Sequence, residues 1–263
     1  MDHLLSDTAK SANAQIEVLL VRSLRAGYDK LIVLSGVNLR VARGEWLALL
    51  GPNASGKTTL LQCIAGTLAP SAGSISICGH ELRHQAKSAK AALGFGCPPE
   101  SLPALLTGRQ CLEIYAAAKG LAAIDGDVLA LAEEFAFAPM LDRFVGSYSL
   151  GTRQKLAVLL ALLGEPALVV LDEAFNGLDP ASALVLKRHL RTRVAAQRCG
   201  VLLATHALDV VERYSDRAAL LLDGRIARVW TGEELAALRA APGEGLELAL
   251  AAACAGAGVP QPG

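Results

Sequence analysis

The chain has 263 residues, of which 52% are hydrophobic and 19% charged, and its 25 Lys and Arg balance its 25 Asp and Glu. This length predicts one domain, or one domain with an additional lobe, and the hydrophobic fraction excludes a disordered chain. The zero net charge argues against nucleic acid as a partner, because proteins that bind it usually carry a basic surface that neutralises phosphates.

The cysteines are widely spaced along the chain. The closest two, Cys97 and Cys111, are 14 residues apart, so no C-x-x-C pair is present to form a zinc or redox site. We therefore expect buried, reduced thiols rather than disulfides, as in a cytosolic protein.

The sequence predicts neither a secretory signal nor a membrane span. Residues 1–15 include acidic residues and lack a sustained apolar core, unlike a signal peptide. The longest apolar runs, 156–164 and 248–260, are shorter than the roughly 20 residues that cross a bilayer. The mean hydropathy of +0.39 is nevertheless high, which favours a buried parallel sheet and surfaces that another component covers.

The first elements in chain order are predicted strands. Residues 16–24 and 31–41 are rich in branched apolar side chains and are separated by a turn at 26–30, which is typical of two strands. Residues 45–50 form a short apolar strand that leads into a glycine-rich loop. From 57 to 68, apolar residues recur at i, i+3 and i+4, so a helix follows the loop.

The middle of the chain predicts a helical insertion in an α/β core. Three helical stretches, near 108–120, 127–137 and 150–163, occupy a region without strand-like runs. The core then resumes with two apolar strands on either side of a helix, the alternation of a parallel sheet, and ends in a hairpin around Asp223-Gly224. These elements are the strands 167–171 and 201–204, the helix 180–197, and the hairpin strands 217–222 and 225–229.

Five basic residues are scattered around the helix predicted to begin at Pro180. They are Lys187, Arg188, Arg191, Arg193 and Arg198. This distribution predicts a solvated helix surface rather than a binding patch.

The clearest chemical motif is the glycine-rich loop Gly51-Pro52-Asn53-Ala54-Ser55-Gly56-Lys57-Thr58. It matches the phosphate-loop pattern G-x-x-x-x-G-K-S/T between a strand and a helix. Its glycines let backbone N–H groups surround phosphates, and the helix N-terminus adds partial positive charge. We expect Lys57 to reach the β- and γ-phosphates of ATP and Thr58 to ligate Mg²⁺. Thr59 completes the predicted ATP-binding segment.

Two carboxylates follow the apolar strand that ends at Leu171. Asp172 and Glu173 therefore lie at the carboxyl end of a buried strand, where α/β sheets bind ligands. Asp172 is the expected Mg²⁺ partner, and Glu173 is positioned to take a proton from an attacking water. The alternative for Glu173 is that it only caps the following turn.

Three further motifs appear in the order typical of one protein family. Residues 148–154 resemble the signature motif of ATP-binding cassette (ABC) ATPases, residues 176–179 resemble the D-loop, and Thr205-His206 resembles the switch histidine. Ser149 lies 23 residues before Asp172, as in that family. The chain resembles an ABC ATPase over about residues 16–230.

The resemblance implies a specific use of several residues. In the family, two cassettes pair head to tail and hold each ATP between the phosphate loop of one and the signature of the other. Ser149 and Gly151 would then touch the γ-phosphate across the dimer, Tyr28 would stack on adenine, and His206 would sense the γ-phosphate. From the residues alone, Ser149 would be a simple N-cap, Tyr28 more often a core residue and His206 usually a structural histidine.

The expected fold is a P-loop NTPase ABC cassette of the α/β class. It has a mostly parallel core sheet, an N-terminal antiparallel β subdomain and an inserted α-helical subdomain at about residues 100–164. The cassette covers 16–230, after an N-terminal extension at 1–15 and before a C-terminal helix and flexible tail at 231–263.

Two positions depart from the family pattern. Pro98 stands where the family usually has a glutamine, and proline offers neither a side-chain oxygen nor a backbone donor. Glu100 is a weak candidate to replace it. Leu150 replaces the first glycine of the signature pair, which is a milder change. The change at Pro98 bears on hydrolysis rate and on coupling to a membrane partner.

The leading functional hypothesis is the ATP-hydrolysing subunit of a bacterial, exporter-like ABC transporter. It would bind ATP and Mg²⁺, pair with a second cassette, and dock on a separate membrane permease at the cytoplasmic side of the plasma membrane. The alternative is a switch subunit that binds ATP and turns it over slowly. A translation or DNA-repair cassette is disfavoured, because the chain has neither a second cassette nor a long coiled coil.

Overall fold

A computed structural model of the chain describes residues 16–29, 31–240 and 245–256. The predicted N-terminal extension at 1–15 and the last seven residues of the predicted tail lie outside this part. In chain order the strands are β1 (Glu17–Tyr28), β2 (Leu31–Ala42), β3 (Trp46–Leu50), β4 (Ala72–Ile77), β5 (His80–Glu81), β6 (Leu93–Phe95), β7 (Leu168–Asp172), β8 (Gly200–Ala204), β9 (Arg217–Leu222) and β10 (Arg225–Trp230). The helices are α1 (Lys57–Ala65), α2 (Ala86–Ala91), α3 (Gly108–Ala118), α4 (Gly126–Glu134), α5 (Leu150–Leu162), α6 (Pro180–Ala195), α7 (Leu208–Tyr214), α8 (Gly232–Ala240) and α9 (Gly245–Gly256).

The strands form two sheets. A four-stranded antiparallel sheet has the order β2-β1-β4-β5, and a six-stranded sheet has the order β10-β9-β3-β8-β7-β6. In the larger sheet all neighbouring strands are parallel except β10, which pairs antiparallel with β9. The carboxyl ends of β3, β8 and β7 therefore meet at one edge, which is where parallel sheets bind ligands. The predicted α/β fold, with a mostly parallel core sheet and an N-terminal antiparallel sheet, is confirmed.

The three helices predicted in the middle of the chain are present as α3, α4 and α5, and they follow the short strand β6. The capping box of Thr107 and Gln110 starts α3, and the side chain of Asp125 accepts a hydrogen bond from the Val128 amide to start α4. Both caps satisfy amides that the first turn of a helix leaves unpaired. α5 is buried along most of its length, because it lies between this helical lobe and the core sheet.

Two large groups of apolar side chains cover the faces of the core sheet. One packs the antiparallel sheet and α1 against it, and includes Leu47 and Leu60. The other packs α5, α6 and the helical lobe against the opposite face, and includes Trp46 and Leu156. The core sheet is thus buried on both faces, as parallel sheets usually are.

Several predicted boundaries differ from the structure by a few residues, and three of them have a clear physical reason or consequence. β1 continues to Tyr28, although the sequence predicts a turn from residue 26, because Tyr28 still pairs with Leu31 of β2. The helix predicted to reach residue 68 ends at Ala65, because Gly66 adopts a left-handed conformation with φ of 67° and caps it. Up to residue 256 the C-terminal segment contains two helices, α8 and α9, whereas the sequence predicts one helix followed by a tail.

The C-terminal helices pack on the core rather than projecting from it. Leu235 of α8 and Leu246 of α9 are buried with Leu220 of β9. Within the described residues, no helix combines the length and the apolar character that crossing a membrane requires. The cysteines are all free, and Cys63, Cys111 and Cys199 are buried.

Candidate nucleotide-binding site

The loop of residues 51–56 joins β3 to α1 at the carboxyl edge of the core sheet. Gly51 has a φ of 155°, and a Cβ there would lie 2.4 Å from the Leu221 carbonyl oxygen, so only glycine fits. Ala54 and Gly56 also have positive φ, of 62° and 106°. Positive φ values within a short loop turn successive N–H groups toward one side, which is the geometry of an anion nest.

A cavity of about 680 Å³ lies in front of this loop. Its volume is in the range of small-molecule sites. Ten of the predicted site residues line it: Tyr28, Asn53, Ala54, Ser55, Gly56, Lys57, Thr58, Thr59, Asp172 and Glu173. The Ser55 hydroxyl is buried and has no hydrogen-bond partner among the described residues, so a ligand oxygen in the cavity would satisfy it.

Lys57 places a cation at the mouth of the loop. Its Nζ donates hydrogen bonds to the carbonyl oxygens of Gly51, at 2.6 Å, and Pro52, at 3.1 Å. Burial lowers the pKa of Lys57, and the carboxylates of Glu173 and Asp172 oppose that shift. Gly51 and Pro52 therefore hold Lys57 through their carbonyl oxygens. Neither of these two residues lines the cavity.

Thr58 and Asp172 bring two oxygen atoms together from α1 and β7. The Thr58 hydroxyl donates to Asp172 Oδ2 at 3.1 Å. Burial raises the pKa of Asp172, the hydrogen bond from Thr58 opposes this, and the charge of Glu173 adds to it. The described residues contain no group of three or more His, Cys, Asp or Glu that could hold a metal. Two hard oxygens beside a phosphate loop do fit Mg²⁺, which binds proteins through one or two oxygens and takes its other ligands from phosphates and water.

Glu173 and His206 form the second pair, from the ends of β7 and β8. His206 Nδ1 lies 2.9 Å from Glu173 Oε1. Glu173 Oε2 is buried and has no hydrogen-bond partner among the described residues, so it can accept a proton. Glu173 also has a φ of 47°, a left-handed conformation that costs a non-glycine residue about 1 kcal/mol or more. Strain of this kind is common at functional sites.

Tyr28 lines the cavity from the end of β1. Its hydroxyl donates to Gln62 Oε1 of α1 at 2.6 Å, which fixes the ring between the antiparallel sheet and α1. Leu31 and Val33 line the cavity beside it. Tyr28 is 45% exposed, so it is not a core residue, and its ring is available for stacking.

Ser149 and Gly151 are not in the cavity lining of their own chain. Ser149 is exposed and accepts a hydrogen bond from the Thr152 amide, which makes it the N-cap of α5. Gly151 lies against the D-loop, because a Cβ on it would be 2.3 Å from the Gly177 carbonyl oxygen. Both residues are thus at the N-terminus of α5, on the outside of the molecule.

The cavity has further lining residues that the sequence did not reveal as site residues. They are Gly96, Pro99, Leu150, Gln154 and Asn176. Gln154 is only 7% exposed and lies one helical turn after Leu150. The i, i+4 spacing of these two residues in the predicted helix therefore indicates that they share one helix face.

Pro98 lines the cavity, where it precedes a short 3-10 turn over Pro99–Ser101. Both the amide and the hydroxyl of Ser101 donate to the Pro98 carbonyl, at 2.9 and 2.7 Å. Glu100 also lines the cavity and is exposed. The segment is held by its own backbone, and proline contributes no side-chain oxygen to the site.

Comparison with known proteins agrees with this geometry. The rat protein named ATP-binding cassette sub-family A member 7 is 31% identical over 225 residues, 84% of this chain and 10% of its own length. The Nod factor export ATP-binding protein I of Burkholderia thailandensis is 34% identical over 200 residues, 75% of this chain and 66% of its own length. The chain thus spans about a tenth of the rat relative and about two thirds of the bacterial one.

A solved structure described as the ATP-binding subunit of an ABC transporter shares the fold. It superposes with a TM-score of 0.81 at 31% identity, covering 90% of this chain and 99% of that one. Residues 34–176 match the protein family described as ABC transporter. Cassettes of this family bind and hydrolyse ATP. The chain therefore belongs to the ABC transporter family of ATP-binding cassettes.

Proposed function

We propose that this chain is the ATP-hydrolysing subunit of a transporter, working as a dimer of cassettes on a membrane permease. The observation that carries the proposal is the convergence of Lys57, the Thr58–Asp172 pair and Glu173 around one cavity, with His206 in contact with Glu173 from outside the lining. These groups come from α1, from β7 and from the residues that follow β7 and β8, so only the folded sheet brings them together.

The triphosphate of ATP would lie along the loop, with backbone N–H groups and Lys57 Nζ on its oxygens. Tyr28 would hold the adenine by stacking. Thr58 and Asp172 are the residues that would hold Mg²⁺, which neutralises phosphate charge when bound. Of the described groups, the free Oε2 of Glu173 is the one placed to take the proton of an attacking water. His206 contacts Oε1, the other oxygen of the Glu173 carboxylate, and this contact orients Glu173 as the base.

The exposed position of Ser149 supports a second cassette as the source of the remaining phosphate contacts. A hydroxyl at the N-terminus of α5 suits an anion, yet it lies outside the cavity of its own chain. A complementation experiment tests this arrangement. Lys57→Ala removes the loop cation, and Ser149→Asp keeps the N-cap while placing a negative charge against the phosphate. Gly151 is a poorer choice, because a side chain there would clash with Gly177.

Each variant alone should lose ATP-dependent dimerisation and turnover. A mixture of the two should recover part of the turnover, because one site of each mixed dimer combines an intact Lys57 with an intact Ser149. Turnover in the mixture equal to the mean of the separate variants would refute the shared site. Light scattering with ATP measures dimer formation in the same samples.

Apolar side chains exposed on the helical lobe support a membrane permease as the docking partner. Leu105 is 87% exposed, Phe144 61% and Ile114 53%. A cavity of about 510 Å³ is lined both by Tyr115, which follows Ile114 in α3, and by Asp172. A partner seated there would contact the nucleotide site directly, and apolar patches of this kind mark interaction surfaces. Similarity to a Nod factor export protein favours export as the direction of transport.

A second candidate function, a switch subunit with slow turnover, is favoured by Pro98. The proline removes a side-chain oxygen from the cavity, and the Ser101 hydrogen bonds hold the segment in place. Steady-state ATPase measurements on the isolated protein and on its complex with the permease separate the two candidates. Turnover that stays below about one per minute in both preparations would favour the switch, since typical enzymes turn over about 1–1,000 times per second.

A further inference from the structure

A second cavity, of about 320 Å³, lies between α4 of the helical lobe and the C-terminal half of α6. α6 contributes side chains at i, i+3, i+4, i+7 and i+8, which form one helix face. None of its lining residues lines the nucleotide cavity. The lining residues are Asp127, Ala130 and Glu134 from α4, Val185, Arg188, His189, Thr192 and Arg193 from α6, and Arg198 after it.

Arg193 is the unusual member of this set. The sequence predicts a solvated basic surface on α6, but Arg193 is only 4% exposed, so that prediction is wrong at this residue. Its Nε and Nη2 are buried and have no hydrogen-bond partner among the described residues. No carboxylate in that part of the chain lies within 4.0 Å of it, whereas Arg198 is 3.9 Å from both Asp127 and Glu165.

A buried guanidinium with two unpaired donors is costly. An unsatisfied buried donor costs about 1–3 kcal/mol, and more when it is charged. The C-terminus of α6 supplies partial negative charge near Arg193, but this offsets only about 0.3–1 kcal/mol and leaves the two N–H groups unpaired. The fold therefore keeps two unpaired donors on one edge of a guanidinium whose residue lines a cavity, and such a two-donor fork suits an oxyanion.

The neighbours of Arg193 fit the same ligand. His189 Nε2 is also buried without a partner among the described residues. Burial and the charge of Arg193 lower the pKa of His189, and Glu134 and Asp127 oppose that shift; the neutral ring with its proton on Nε2 donates one hydrogen bond. Thr192 adds a hydroxyl and Arg188 an exposed cation at the opening. The opposing charges in the lining are Asp127 and Glu134.

We propose that this cavity is a second ligand site that binds a phosphate group, either free or on a small metabolite. The ligand would join α4 to α6, and hence the helical lobe to the core. α6 has 16 residues, so its two ends are about 24 Å apart. Because Asp179 caps α6 at its other end and Asn176 of the D-loop lines the nucleotide cavity, the site is remote from that cavity but connected to it through α6 and the D-loop.

The experiment is a calorimetric titration of the full chain, saturated with a non-hydrolysable ATP analogue so that the phosphate loop is occupied. Inorganic phosphate and glycerol 3-phosphate are titrated separately, with chloride as the control anion. Binding of either compound supports the site. The compound with the higher affinity shows whether the site takes free phosphate or a phosphate group on a small metabolite. Binding of neither, or binding only without nucleotide, overturns the proposal.

Variants locate the site. Arg193→Lys keeps the charge but loses the fork, and should weaken phosphate binding about tenfold. If this buried variant does not fold, the double variant Arg188→Gln with Thr192→Val, at two exposed positions of the lining, tests the site instead. Arg213→Gln on α7 is the control for the loss of a surface arginine. Unchanged affinity in the exposed pair, or equal loss in Arg213→Gln, overturns the proposal.

A variant that is expected to bind phosphate more tightly provides the sharpest comparison. Glu134→Gln removes a carboxylate from the lining and should tighten phosphate binding about threefold. Glu133→Gln changes the next residue, which is exposed and outside the lining, and should leave the affinity as it is. A merely structural role of Arg193 predicts no gain in Glu134→Gln, so equal affinities in these two variants contradict the site.

Discussion

Glu173→Gln tests the central chemical assignment, because it changes one atom of the side chain at nearly constant volume. His206 already occupies Oε1 at 2.9 Å, and the amide oxygen of glutamine can keep that contact. The amide nitrogen then replaces Oε2, the free acceptor, and cannot take a proton from water.

The expected loss in ATP turnover follows from the role of a general base. Such a base contributes about 10²–10⁴ in rate, which is about 3–5 kcal/mol in the activation barrier at about 1.4 kcal/mol per factor of ten. Nucleotide affinity should stay the same or rise, since the substitution removes a negative charge near the phosphates. The variant should therefore accumulate as an ATP-bound dimer.

The assay combines steady-state phosphate release, nucleotide titration calorimetry and light scattering with ATP. Glu100→Gln is the matched control, because Glu100 lines the same cavity but makes no hydrogen bond or ion pair within the described residues. The reasoning is refuted if Glu173→Gln keeps more than about a tenth of wild-type turnover, or if Glu100→Gln loses as much.

Four further outcomes are expected. Lys57→Ala should abolish tight Mg-ATP binding in calorimetry, because it removes the mobile cation of the loop; unchanged affinity would contradict the phosphate-loop assignment. Tyr28→Ala should weaken ATP binding about 5- to 150-fold, the range of one lost stacking contact, whereas Tyr28→Phe should stay within a few fold. Pro98→Gln should raise turnover if a missing oxygen limits hydrolysis; uncoupled transport at unchanged turnover would instead indicate a rigid coupling segment, and no change in either would mean that the position is neutral. Asp179→Ala should lower the free energy of unfolding by about 1 kcal/mol through loss of the α6 cap. Hydrogen bonds from Lys155 and Ser182 hold the pKa of Asp179 well below its usual range, so this stabilisation is present above about pH 4 and is lost as pH falls; denaturant unfolding that shows the same difference at pH 7 and at pH 3 would contradict it.

Sequence alone was sufficient for the fold class and for the residues of the phosphate loop. These features depend on local patterns: apolar runs for the buried strands, i, i+3, i+4 spacing for the helices, and a loop whose glycines are required by their own backbone angles. Asp172 and Glu173 were identified in the same way, because the apolar residues before them place both acids at the end of a strand.

The long-range pairings required the tertiary structure. Thr58 and Asp172 are 114 residues apart and Tyr28 and Gln62 are 34 apart, and only the strand order and the packing of α1 bring their atoms within hydrogen-bond distance. The left-handed backbone of Glu173 also depends on its surroundings, since its amide donates to the Ala204 carbonyl of the neighbouring strand. A sequence shows which groups are present, but their mutual distances are set by the sheet.

Sequence periodicity also predicted the wrong burial for some side chains. Arg193 looks like any surface arginine on a helix, and α9 looks like the start of a tail. Whether such residues are covered depends on elements far along the chain: α4 and α6 line one cavity, and α9 packs on α7 and α8. Local patterns therefore determined the elements and the phosphate loop, whereas the tertiary packing decided which polar groups are paired and which face a cavity, because solvent exclusion is a property of the whole fold.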